Sequence, residues 1–262
     1  MRPSLQAVIF AGIVAALHQD APLPVARRYK AAEATQAVAV DGAFFYAIAN
    51  AAIGKYRIAT GERVTGWQDE PGGRVRHLNS GVVIGAELYC AHSNYPETPM
   101  VSSIEVFDTK TVSHRRSIPL PGGFGSATWL AKRGGDWWVT FAHYAGKGGE
   151  PGKGPEATRL VRFDAAWRQK GAWSFPPALV ARWDGMSSSG GAWIGGRRLV
   201  TSGHHAPELY ILDLPSSGSE LILRRTLRVV SEGQGIDVDR RSGLLYSIQR
   251  RTREVLASKL PQ

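Results

Sequence analysis

The sequence predicts an all-β fold, a five-bladed β-propeller closed by an N-terminal strand. Two observations carry this reading. Thirty Gly and fifteen Pro punctuate the 262 residues too often for a helical bundle. More decisively, one layout recurs five times: a polar residue, a small one, a short apolar strand, a Gly turn and two further strands. A four-stranded unit repeating at roughly 45 residues or more is a propeller blade. A β-sandwich is the competing architecture, but it gives no reason to repeat the same polar-small entry.

The elements follow in order. Arg2 precedes an apolar stretch, Ala7–Leu17, and Val14-Ala15-Ala16 offers the small residues a signal peptidase reads. We expect residues 1–21 to be a signal peptide cleaved between 16 and 21, and a periplasmic or secreted product. The stretch falls short of the roughly 20 apolar residues that a membrane-spanning helix needs. Residues 22–262 then form one propeller domain. The five first strands open at Gln36, Asn79, Ser126, Ser189 and Gln234. The second strands are Phe44–Asn50, Leu88–His92, Trp137–His143, Arg198–His204 and Leu244–Gln249. The chain ends at Gln262 with room for only three strands in the last blade, so Arg27–Thr35 is expected to supply the fourth and close the ring.

Charge and cysteine content narrow the function classes. The net charge of +10 arises from 24 Arg and 8 Lys against 22 acidic residues, spread along the chain and not gathered in an arm. That pattern predicts a solvated basic surface with affinity for small anions, and no specific nucleic-acid site. Cys90 stands alone, which excludes an internal disulfide framework.

Propeller geometry turns positions into a site. Entries to first strands and exits from second strands converge on one mouth of the central channel. The entries bring Gln36, Asn79, Ser126, Ser189 and Gln234, with His77, Ser188 and Glu232 just outside. The exits bring Asn50, His92, His143, His204 and Gln249, with Asn94 and His205 slightly beyond. Three histidines in one repeat position can aim their nitrogens at one divalent transition metal, with Gln249 completing the shell. The expected site therefore has His92, His143, His204 and Gln249 on a metal, and Glu232 moving protons. Arg76, His77, Asn79, Asn94, Ser189 and Gln234 contact the ligand, while His205, one residue out of register, points away. The loops Asn94–Pro99 and Gly146–Gly154 would wall this mouth.

The runs His77-Leu-Asn-Ser-Gly-Val-Val, Leu88-Tyr-Cys-Ala-His-Ser-Asn-Tyr-Pro, Ser187-Ser-Ser-Gly-Gly and Glu232-Gly-Gln-Gly-Ile resemble a group of exported bacterial propellers labelled cycloisomerases. More distantly the chain is similar to paraoxonase and gluconolactonase propellers. Those resemblances imply a ligand-binding channel, and the second implies a calcium ion held by acidic and Asn ligands. The His-rich mouth here points instead to a transition metal. Together these features predict an exported propeller binding a small polar or anionic molecule. Its enzyme form is a metal-assisted lyase, hydrolase or isomerase, and its alternative is a non-catalytic ligand-binding or protein-interaction propeller.

Overall fold

Twenty of the strands in the computed structural model, which describes residues 17–19 and 21–261, build five four-stranded antiparallel sheets. Blade one holds Ala37–Val40, Phe44–Ala49, Ala52–Arg57 and Arg63–Gln68. Blade two holds Leu78–Ile84, Glu87–Ser93, Ser102–Asp108 and His114–Pro119. Blade three holds Ser126–Arg133, Asp136–Ala142, Arg159–Phe163 and Gln169–Ser174. Blade four holds Gly190–Gly195, Arg198–Ser202, Glu208–Asp213 and Ile222–Arg228, and Leu17–Gln19 adds in parallel to its outer edge. Blade five holds Asp237–Val238, Leu244–Gln249 and Glu254–Lys259, and its fourth strand is Val25–Lys30. Of the signal peptide expected over residues 1–21, residues 1–16 and 20 lie outside the described residues.

The ring closes as the strand deficit requires. Val25–Lys30 pairs antiparallel with Glu254–Lys259, Arg28 opposite Leu256 and Tyr29 opposite Val255. The closing strand starts two residues earlier than expected and ends at Lys30. Residues 31–35 turn instead, with Ala34 N–H bonded to Ala31 O at 3.0 Å. Tyr29 then packs its ring 4.9 Å from Phe45 of blade one and ties the closure to the neighbouring blade.

The cores lie between blades. Five apolar clusters each join residues of two adjacent blades, as where Phe141 and Phe163 of blade three meet Ile104 and Val106 of blade two. Middle strands are therefore covered on both faces; every residue of Asp136–Ala142 is buried. Outermost strands face water and carry the arginines, among them Arg63, Arg115, Arg116 and Arg224. Charged outer edges resist pairing with a second sheet. Inner strands of successive blades touch in turn round the ring, and small residues make this possible. A Cβ on Gly191 would lie 2.6 Å from the Trp129 ring, and one on Gly235 would lie 2.3 Å from Ala37 Cβ.

Candidate functional site

The channel opens at two mouths. At the upper one, where first strands begin, a cavity of about 370 Å³ is lined by Gln36, Asn79, Thr128, Ser189 and Gln234, one residue from each blade. Asn50, Arg76, His77, Tyr95, Pro96, Tyr144, Lys147, Met186, His204 and Arg250 complete the wall. The structure thus gathers Gln36, Asn50, Arg76, His77, Asn79, Ser189, Gln234 and His204 at this mouth. His92, Asn94, His143, Glu232 and Gln249 are not in its lining.

The polar floor is fixed by hydrogen bonds to the frame. Gln36 Nε2 donates to Asn50 Oδ1 at 2.7 Å, and Asn79 Nδ2 donates to Ala127 O at 2.8 Å. Gln234 Nε2 donates to His204 O at 2.9 Å. The Gln234 backbone has φ +71°, a left-handed conformation that costs a non-glycine residue energy and marks a constrained position.

Charge in this mouth is one-sided. Arg76, Lys147 and Arg250 line it, and no Asp or Glu does. Arg76 Nη1 pairs with Glu97 Oε1 at 2.9 Å, outside the cavity wall. Lys147 and the half-buried Arg250 guanidinium make no ion pair among the described residues, and burial lowers the pKa of Arg250. His77 and His204 stay neutral at pH 7. Burial is the main cause for each and brings both down to about 4; the nearby Arg250 charge adds to it.

The expected metal ligands point to different surroundings. His92 Nε2 accepts the Arg76 N–H at 3.1 Å, so Nδ1 carries the proton and donates to Ser103 Oγ at 2.9 Å. Ser103 passes the chain to Glu105 Oε1 at 2.6 Å. His143 is buried beside the Gly146–Gly154 loop, with Nδ1 3.3 Å from Glu150 Oε2. Only His204 faces the mouth. Gln249 is absent from the lining, and its buried Oε1 has no hydrogen-bond partner among the described residues. No group of three or more His, Cys, Asp or Glu side chains among the described residues is placed to hold a metal. The residues present therefore do not fit the expected three-His ion.

The reason is strand register. His92 still lies within its strand, opposite Ser103, whereas His143 follows the last strand residue by one position and His204 by two. Side chains change face with each residue, so one alignment column sends these rings in different directions. His205 is not in the lining of the mouth, and its Nε2 lies 2.9 Å from His204 Nδ1. Glu232 is outside the lining and pairs with Arg251, and Asn94 caps its own loop through Pro99 O and Val101 N.

Sequence reasoning did not place Arg250 or Lys147 in the lining of this mouth. Arg250 stands one residue past the aligned exit position, and Lys147 sits inside the loop expected to wall the mouth.

Fold and mouth together define the chain as a five-bladed propeller with a cationic pocket at the start of its inner strands. Three solved structures are similar in shape. The crystal structure of Myxococcus xanthus glutaminyl cyclase matches with a TM-score of 0.60 at 11% identity, covering 91% of this chain and 98% of that one. The structure of U3-55K matches at 0.51 and 10% identity, over 89% and 98% of the respective chains. The RRP9 WD40 repeats match at 0.51 and 10% identity, over 91% and 99%. Such identities speak for the fold alone. No family model and no curated protein matches the sequence, so the cycloisomerase and paraoxonase resemblances find no support at that level.

Proposed function

We propose that the upper mouth binds a small anionic molecule. The observation that carries this reading is the half-buried Arg250, without an ion pair among the described residues, in a pocket whose lining has no carboxylate. A half-buried charge without a direct ion pair is only partly compensated, and a ligand anion would supply that pair. About 370 Å³ suits a metabolite, at the small end of ligand pockets. Lys147 approaches from the loop side, and the carboxamides of Gln36, Asn79 and Gln234 offer hydrogen bonds for orientation. Tyr95, with its ring 5.0 Å from His77 and 5.2 Å from Tyr144, forms an aromatic wall for the ligand's body.

Titration calorimetry with phosphate and malonate, on the whole chain and on Arg250→Gln, tests the reading. The expected result is saturable binding weakened at least roughly tenfold by the substitution, as loss of a charge-assisted contact predicts. Equal binding by both proteins would refute it. A second reading, acid–base catalysis on the same anion, is favoured by one observation: two imidazoles, His77 and His204, neutral at pH 7, line the pocket beside Arg250. A neutral imidazole can accept a substrate proton while the guanidinium stabilises developing negative charge. No step of this reading passes through a metal.

A further inference from the structure

The opposite mouth of the channel has a different chemistry. There the inner strands end, and a cavity of about 620 Å³ is walled by Val40, Val82, Val83, Leu130, Ala192 and Trp193, among others. It shares no lining residue with the upper pocket. Around its rim stand Lys132, Arg133, Arg240 and Arg241. None of the four makes an ion pair with a described residue.

Two of these cations are held by aromatic rings. Lys132 Nζ lies 4.7 Å from the Trp137 centroid and Arg133 Cζ 4.4 Å from that of Trp193, which leaves their N–H donors unspent. Arg241 lays its stem over Gly42, where a Cβ would come within 2.6 Å of Arg241 Cδ. The three acidic residues of this lining are occupied elsewhere. Asp41 accepts from Ala43 N, Phe44 N and the Tyr46 hydroxyl, and Asp239 accepts from Arg241 N and Ser242. Asp237, buried at the wall, accepts from Val40 N at 2.9 Å and Val238 N at 2.8 Å. Burial also raises its pKa to about 7, so its negative charge is only partly present at neutral pH.

We propose that the lower mouth is a second ligand site, for an amphiphilic anion. An apolar body, aromatic or short-chain aliphatic, would enter among Val82, Leu130 and Ala192. Its carboxylate or sulfonate would meet Lys132, Arg133 and Arg240 at the rim. A flat acidic protein surface or a nucleic acid could meet the rim but would leave the cavity behind it unfilled, so concavity favours the small molecule.

The probe is 1-anilinonaphthalene-8-sulfonate, an aromatic sulfonate, titrated into the intact chain below its thermal transition. With malonate held at a concentration that saturates the upper mouth, the expected result is one saturable class of site with enhanced emission, displaced by octanoate and not by octanol. Paired Lys132→Gln and Arg133→Gln substitutions, both on the rim and outside every core, should weaken binding roughly tenfold or more. Arg250→Gln should leave it unchanged, which separates this site from the upper one. Failure to saturate, equal displacement by octanol, or indifference to the rim substitutions would each overturn the proposal. Rim-dependent binding of heparin that octanoate does not displace would overturn it in favour of a polyanion surface.

Discussion

The two mouths are built from opposite ends of the same inner strands, yet their titratable groups respond to burial with opposite signs. At the upper mouth burial disfavours a positive charge and holds His77 and His204 neutral, both near 4. At the lower mouth burial disfavours a negative charge and raises Asp237 to about 7. One physical cause, removal from water, empties both ends of one local charge. What remains above is Arg76, Lys147 and Arg250, and below it is Lys132, Arg133, Arg240 and Arg241 together with Asp41 and Asp239. Cations thus stand at both ends, among carboxamides above and in a mixed polar and apolar wall below.

Acid should separate the two ends first, and with the largest effect. An unfolded histidine takes up its proton near 6.5, whereas folded His77 and His204 resist until about 4. Stability contributed by these neutral rings is present above 6.5 and lost as the pH falls toward 4. Each ring contributes up to about 1.4 kcal/mol per pH unit in that window, an upper bound because both retain some contact with water. The fold should therefore lose a few kcal/mol between pH 6.5 and 4.5, read as a falling denaturant midpoint. His77→Asn with His204→Asn should flatten that slope. A slope unchanged by the pair would place the acid sensitivity elsewhere.

Asp237 should act with the opposite sign and less force. Its folded pKa lies above the unfolded value, so its contribution is fully present below about 4 and lost as the pH rises through about 7. Asp237→Asn keeps an acceptor for Val40 N–H and removes the ionisation. The variant should resist denaturant better than the parent at pH 8, by on the order of 1 kcal/mol or more, with the advantage shrinking as the pH falls and gone below about 4. An advantage at pH 5 alone would reverse the assignment.

The residues that were legible in the sequence and those that were not divide along strand register. Gln36, Asn79, Ser189 and Gln234 were found because the fivefold repeat fixes where each inner strand begins. Ser126 occupies the same repeat position but does not line the pocket. A register irregularity between Ala127 and Trp129 shifts blade three, and Thr128 takes its place at the wall. Ser126 is buried instead, its hydroxyl bonded to Ser93 Oγ at 2.8 Å. The exits were harder, because loop residues past a strand end no longer alternate strictly. That is why His92, His143 and His204 share an alignment column and not a site. Closure by an N-terminal strand was legible for a counting reason: a last blade with three strands leaves an open edge.

The smallest expected effect concerns Glu232, which the sequence nominated as a proton carrier and the structure places outside the upper lining. Its carboxylate pairs with Arg251, whose side chain is 77% exposed. Exposed pairs of this kind contribute about 0–1 kcal/mol, because water competes for both partners and a long side chain must be ordered. Glu232 also acts on Arg250, favouring its charged form. Glu232→Gln should therefore change the denaturant midpoint by less than about 0.5 kcal/mol. Its effect on anion binding should be slight and of definite sign. Removing a nearby negative charge lowers repulsion toward an incoming anion, so phosphate should bind the variant as tightly as the parent or up to a few-fold more tightly. Arg250→Gln provides the contrast, since there the contact itself is lost. Weaker phosphate binding by Glu232→Gln would mean that this carboxylate orients Arg250, and the upper site would have to be drawn to include it.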